Sequence, residues 1–306
     1  MNKYEKEVAA KLLKNETKAI SNLKKAFSEA LADVKKKIKY IEQSISNGNT
    51  NAIYQLQYQQ LIEQQINANL DILNSKNVKT VSDFLEKSYK DSYFGDFYNL
   101  QMKYNIDIYN PVSPLVMFKS VTKPTNGYNF SQRLYDDIDK LKKVVKSEIS
   151  RGIAQGNGYA RIAKNISGKF ETSYSNAYRI ARTEGGRVST EAQLETINYL
   201  NEQGIEIEKR WDATLDSRTR EVHSHLDGQT VEVSQPFKSD IGFVDAPHKF
   251  GIASQDINCR CRLVLIPKNS KMSTRNSKID FKNDIISYKT FNEWEEGMND
   301  YYKSKL

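Results

Sequence analysis

The 306-residue chain is short of the residues that crosslink and punctuate folds: it has 2 cysteines, 3 histidines, 6 prolines and 14 glycines. Two cysteines one residue apart are badly placed to bridge each other, and no further cysteine exists. That excludes a disulfide framework and fits a reducing compartment. So few prolines and glycines argue for long helices rather than a turn-dense β-sandwich. No uninterrupted apolar run approaches the ~18 residues expected of a membrane span. The opening Met1-Asn-Lys-Tyr-Glu-Lys-Glu lacks the basic and apolar regions of a signal peptide, so the expectation is a soluble, non-secreted protein. Hydrophobic content of 38% is low, which suits partly solvated helices.

Charge is not scarce. With 46 basic and 38 acidic residues the net charge is +8, and the isoelectric point is about 9.1. A basic excess favours an anionic partner through phosphate contacts and counterion release. Its mixing with acids is equally the pattern of an ordinary solvated surface.

Length suggests about two domains. Residues 3–46 read as one amphipathic helix, with Ile20, Leu23, Phe27, Leu31, Val34, Ile38, Ile41 and Ile45 at steps of three and four and Lys35-Lys36-Lys37 outside that stripe. Ser46-Asn-Gly-Asn-Thr50 breaks it, and a second helix follows to about residue 74 through Ile53, Leu56, Leu61, Ile66, Leu70 and Leu73, giving an αα-hairpin. Aromatics crowd residues 80–104 (Phe84, Tyr89, Tyr93, Phe94, Phe97, Tyr98, Tyr104), a stripe that reads as core or interface before base-stacking platform. Pro and Gly mark 110–127 as a loop. Helical spacing resumes from Ser131 to Gly152, in a short helix over Tyr159–Ile166, and from Thr172 to about Gln203, with Gly204 as its C-cap. The period then changes to two. Strands are expected at Ile205–Trp211, Gly228–Val233 and Arg262–Ile266. Residues 268–280 read as a polar linker and Tyr288–Leu306 as a terminal helix anchored by Trp294. The fold class is α+β: a long helical amino-terminal region, 1–127, a small α+β carboxyl-terminal module, 128–267, and a tail, 268–306.

All the histidines and cysteines lie between Trp211 and Leu263. Three readings of this stretch stand side by side. His223, His225, Cys259 and Cys261 are zinc-ligand types, although each pair is separated by one residue where structural zinc sites usually leave two to four. On a strand, that spacing puts both side chains on one face. His223 as a general base, helped by Asp216, Asp227 or His248, would suit a nuclease, although neither a double carboxylate nor a complete histidine signature is present. In the third reading these polar groups tie a small sheet together, with Asp227-Gly228 as a hairpin turn and both cysteines as small buried hydrophobes.

The ordered series Ala181-Arg182-Thr183-Glu184-Gly185-Gly186-Arg187, Gly204-Ile205, Trp211 with Asp216, Arg218 and Arg220, then His223, Leu226-Asp227-Gly228, Pro236-Phe237 and Asn258-Cys259-Arg260-Cys261 resembles the Mu F-like head morphogenesis domain of tailed-bacteriophage minor head proteins, over roughly 130–266. The chain departs from many such proteins in the loop before Asn258, which holds Ala246-Pro247-His248 in place of a Pro-Pro or Pro-x-His-Pro element. The resemblance implies a virion protein inside the head near the portal, with the portal protein and scaffold as partners. It also implies a role in head morphogenesis, non-specific contact with double-stranded DNA, and departure with the genome into the host cytoplasm. Relatives are not generally described as enzymes, and no cofactor is expected, with zinc at His223, His225, Cys259 and Cys261 the one candidate that the residue types offer. The alternative is an ejected effector enzyme, a nuclease or transferase, using Arg182, Glu184, His223 and Asp227. A third is an assembly factor that bridges portal and scaffold without touching DNA.

Overall fold

The structure is a computed structural model, and it describes residues 2–46, 52–125, 127–268, 291 and 294–297. The chain is α+β. Its helices are α1 (Lys3–Ser46), α2 (Ala52–Tyr104), α3 (Pro114–Thr122), α4 (Phe130–Ala154), α5 (Tyr159–Glu202), α6 (Glu221–Leu226) and α7 (Ala253–Asp256). Its strands are β1 (Ile207–Asp212), β2 (Thr230–Glu232), β3 (Phe237–Ser239), β4 (Gly242–Val244) and β5 (Arg262–Pro267). Among the described residues no helix is long and apolar enough to cross a membrane. Two compact units form, each assembled from separated stretches of sequence.

One unit takes residues 17–84 and 122–182. The spaced apolar positions do the packing: Leu23, Phe27, Val34 and Ile38 of α1, Ile62, Ile66, Leu70 and Leu73 of α2, and Leu134, Ile138, Leu141 and Val145 of α4 are buried. Leu61, expected on the inner stripe of α2, is 51% exposed. Ile62 occupies that role because it stands four residues before Ile66 and eight before Leu70, on one helix face. The side chains of Ile41, Ile45, Ile53 and Leu56 and the break at 47–50 lie outside the described residues. Helix α4 begins one residue earlier than its apolar pattern, on an Asn129–Gln132 capping box. It also passes through Gly152 rather than stopping there. A Cβ on Gly152 would lie 2.5 Å from Ile162, so this glycine permits a close helix crossing. Helix α5 is likewise continuous where a short and a long helix were expected, with Gly168 inside it.

The other unit takes residues 1–16, 85–121 and those from Thr183 onward. The aromatic stripe of α2 is its core: Tyr89, Tyr93, Phe94, Phe97 and Tyr98 are all buried, and Phe97 meets Tyr199 of α5 edge-on at 6.0 Å. Gly95 lets α1 approach, since a Cβ there would sit 2.5 Å from Val8. The second helix and the aromatic stretch therefore belong to one helix, Ala52–Tyr104, which runs on through its polar middle. The stretch read as loop, 110–127, contains α3, because Pro114 opens a helix at the one position where its missing N–H costs nothing. Trp294 is buried against Tyr98 and bonds Gln101 through its indole N–H at 2.5 Å. The linker 269–280 and most of the expected helix 288–306 lie outside the described residues.

Helix α5 ends as its sequence indicates. Gly204 has φ +74°, and the amides of Gly204 and Ile205 bond the carbonyls of Asn201 and Leu200, which is a Schellman cap. The chain reverses into β1, the centre of an antiparallel β2-β1-β5 sheet in which Lys209 pairs with Val231 on one side and Leu265 on the other. Ile207, Lys209 and Trp211 alternate inward. A β3–β4 hairpin, absent from the expectation, closes Phe237 and Val244 over this face. Lys209 survives burial by giving its ammonium to the Asp245 carbonyl at 2.8 Å, above the Phe237 ring.

Candidate functional site

The site forms where three segments meet: helix α6, the turn at Pro247–Lys249 and the irregular run Ile257–Cys261. Helix α6, only six residues long, decides the fate of the histidine pair. Residues i and i+2 on a helix point in different directions, so His223 turns inward and His225 outward. His223 is 2% exposed, whereas the His225 side chain is 55% exposed and pairs with Asp240 at 2.6 Å. The hydrogen bond it donates to Asp240, with the charge of that carboxylate, raises the pKa of His225. The strand geometry that would have put both histidines on one face does not occur here.

His223 lies between Phe250, stacked at 5.2 Å, and the indole of Trp211, edge-on at 6.0 Å. Its Nε2 is buried without a partner. Its Nδ1 faces both sulfurs, 3.3 Å from Cys261 Sγ and 3.6 Å from Cys259 Sγ. Both cysteines are free and buried. Cys259 and Cys261 converge because the chain between them is not a strand: Asn258 adopts φ +58°, and the Cys261 amide folds back onto Cys259 Sγ at 3.4 Å. The three donor atoms lie within 4.8 Å of one another. Cys259 is the more acidic thiol. The Cys261 thiol donating to it outweighs burial, and the His248 and His223 imidazoles add to the lowering. Cys261 is pushed up by the same contact.

His248, in the left-handed region at φ +63°, brings a fourth group to the edge of this cluster. Burial opposes its protonation, but the neighbouring Cys259 sulfur prevails and raises its pKa. Neither of its ring nitrogens completes a well-formed hydrogen bond. The ring rests on Gly186 of α5, where a Cβ would fall 2.3 Å from Cε1. Nothing at sequence-readable spacing marks Gly186 for this role, or His248 as more than an assistant to a catalytic His223.

The remaining motif residues hold the Ile257–Leu263 run in place. Asp216 receives both guanidinium nitrogens of Arg260, at 2.5 and 2.6 Å, and this pairing, with the Arg218 amide, holds its carboxyl well below the usual range. Arg220 donates to the Ile257 carbonyl at 2.6 Å. Thr183 accepts the Asn258 amide at 3.1 Å. Gln193 grips both backbone groups of Leu263, at 2.8 and 3.2 Å. Arg218 has an exposed side chain. Asp227 accepts the Ala213 amide at 2.8 Å, and Gly228, at φ +77°, returns the chain from α6 to β2 rather than forming a strand-to-strand hairpin.

The residues named for an effector enzyme each have partners of their own. Glu184 is buried in an ion pair with Arg187 at 2.7 Å. Asp227 is an exposed backbone acceptor, His223 is enclosed with the cysteines, and Arg182 lies over the Tyr178 ring. What the arrangement offers chemically is a buried set of soft donors, two sulfurs and an imidazole nitrogen, with a second buried imidazole beside Cys259.

Comparison with known proteins gives three results. The family model for phage Mu protein F like protein matches residues 143–264. Among curated proteins, the NAD(+)--arginine ADP-ribosyltransferase EFV of Enterococcus faecalis is 30% identical over 295 residues, 96% of this chain and 60% of that protein. The minor head protein GP7 of Bacillus phage SPP1 is 28% identical over 286 residues, 92% of each chain. An uncharacterized protein of Haemophilus influenzae is 27% identical over 164 residues, 32% of its length. No solved structure matches significantly.

Proposed function

The chain belongs to the Mu F-like family of phage minor head proteins, and from that membership we propose that it acts inside a phage head, beside the portal, where it takes part in head morphogenesis and meets the packaged DNA. One observation carries this: the alignment with the SPP1 minor head protein spans 92% of both chains. It covers the helical region and the sheet module together, so the shared unit is the whole design rather than one motif.

Contact with DNA draws support from the net charge of +8 and from Lys14, Lys18, Lys24, Lys25, Lys36 and Lys39, which α1 presents to solvent. Such lysines neutralise phosphates without reading bases. If about five phosphates are neutralised, affinity should fall a few hundred-fold between about 50 and 200 mM salt. The test is a salt titration of duplex binding on the full chain, with co-purification on the portal protein and mass spectrometry of virions. Flat or absent DNA binding with retained portal binding would leave a bridging assembly factor. Loss of virion protein from the head after genome release would support ejection.

A second reading has one observation in its favour, the printed activity of the enterococcal relative. This chain spans 60% of that protein, and we place the transferase activity in the part it does not cover. The engagement of Glu184 with Arg187 and the enclosure of His223 with the two cysteines support a non-enzymatic chain. Transfer of label from NAD⁺ to an arginine acceptor, or metal-stimulated DNA cleavage, abolished by Glu184→Gln or His223→Ala in a folded variant, would reverse that conclusion.

A further inference from the structure

We propose that His223, Cys259 and Cys261 bind one zinc ion and that His248 supplies the fourth ligand. The inference stands on donor geometry and is independent of the head-protein reading.

The spacing of the donors is the first support. A tetrahedral ion with zinc–nitrogen bonds of about 2.05 Å and zinc–sulfur bonds of about 2.3 Å has nitrogen–sulfur edges of about 3.6 Å. The two such edges here measure 3.3 and 3.6 Å. A thiol–imidazole hydrogen bond could explain one of them. It does not explain both, because Nδ1 carries either one proton or one lone pair and cannot serve two sulfurs in well-formed bonds. A cation between the three atoms satisfies all of them. Two thiolates and an imidazole are also the soft and borderline donors that zinc selects over harder ions.

The second support is the imidazole at the edge of the cluster. His248 is 8% exposed, and neither ring nitrogen makes a hydrogen bond of full geometry, although the Cys259 sulfur and the Cys261 backbone lie beside it, a strained state for a buried imidazole. It sits beside Cys259 rather than within the triad, so ligation requires the ring to swing inward. His248 stands at positive φ, and its ring lies over Gly186, where a side chain would displace it. Zinc entry displaces the thiol protons to solvent and leaves both sulfurs as thiolates, with each histidine neutral and binding through a lone pair. The ion would pin α6, the 247–249 turn and the lead into β5 to one point. His225 takes no part, being exposed and engaged with Asp240.

The experiment is elemental analysis of the full-length chain purified in zinc, followed by cobalt substitution. One zinc per chain is expected, with cobalt giving tetrahedral visible bands and a thiolate charge-transfer band. Cys259→Ser, Cys261→Ser and His223→Ala should lose the metal, and His225→Ala should keep it. Gly186→Ala should keep the thiolate band while weakening retention at least tenfold against a chelating competitor, because the added methyl displaces His248. Since core variants can misfold, wild-type chain is also melted with and without a strong chelator, and the chelator should lower Tm. A wild-type chain that folds identically without metal and gives no cobalt band would overturn the assignment. So would full zinc retention in either cysteine variant.

Discussion

Asp96 makes the stability of this fold depend on pH in an unusual direction. It is buried in α2 among Ser92, Gln193, Arg262 and Leu263. Its Oδ2 has no hydrogen-bond partner, and its Oδ1 has only Gln193 at 3.4 Å. Burial, only partly offset by Gln193 and Arg262, pushes its pKa from 3.8 up to about 8. The folded pKa lies above the unfolded one, so the stabilisation is complete below the unfolded pKa. It drains away as pH rises toward 8. At about 1.4 kcal/mol per unit the whole shift has a ceiling near 5–6 kcal/mol. Relaxation around the carboxylate and water entry reduce this, and ~2–4 kcal/mol is the expected loss between about pH 5 and pH 8. Asp96→Asn keeps the shape and an acceptor for Gln193 but cannot ionise. Denaturant melts of both chains at matched pH should therefore diverge: the wild type weakens relative to the variant as pH rises, and the variant is the more stable above about pH 7. Parallel profiles would refute the reasoning, because other titrating groups cancel in the comparison.

Trp211→Ala should cost ~3–5 kcal/mol, since the indole is fully buried against His223, Phe237 and Phe250; a melt showing under about 1 kcal/mol would mean the module has little cooperative core. Glu184→Gln should destabilise by ~3 kcal/mol because it leaves the Arg187 charge buried without its partner; an unchanged melt with altered activity would instead point to a catalytic glutamate. Gly204→Ala forces a side chain into the left-handed region at φ +74° and should cost about 1 kcal/mol, measured by the same melts.

The long helices were legible because their apolar spacing is regular and their faces are buried as that spacing says, from Leu23 to Ile38 and from Leu134 to Ile149. The breaks between them were less so. Gly152 and Gly168 look like stops in a one-dimensional pattern, yet Gly152 is where Ile162 needs room. Pro114 reads as loop, although a proline at a helix start is tolerated. In the site, residue types pointed to the right place and one-residue spacing pointed to the wrong geometry. His223 and His225 share a face only on a strand, and α6 is a helix. His248 had no partner at sequence-readable spacing, because its neighbours Gly186 and Cys259 arrive from α5 and from the far side of α7.

The same physical picture explains why so many polar motif residues converge on a short irregular segment. Residues 257–261 lack the backbone ladder that would fix a strand, so their order depends on side chains from elsewhere: Arg220 on Ile257, Thr183 on Asn258 and Asp216 on Arg260. A segment held this way should open locally before the helices do. Asp216→Asn removes the charge from an exposed pair, and exposed pairs contribute little to global stability. The thiols of Cys259 and Cys261, 3% and 6% exposed, react with a thiol reagent only when the segment opens. In the presence of a chelator, Asp216→Asn should therefore raise their labelling rate severalfold while the melt of the helical region stays where it was. If labelling rises only in proportion to a loss of global stability, the segment opens with the whole unit, and the motif residues are part of one cooperative core rather than a separate latch.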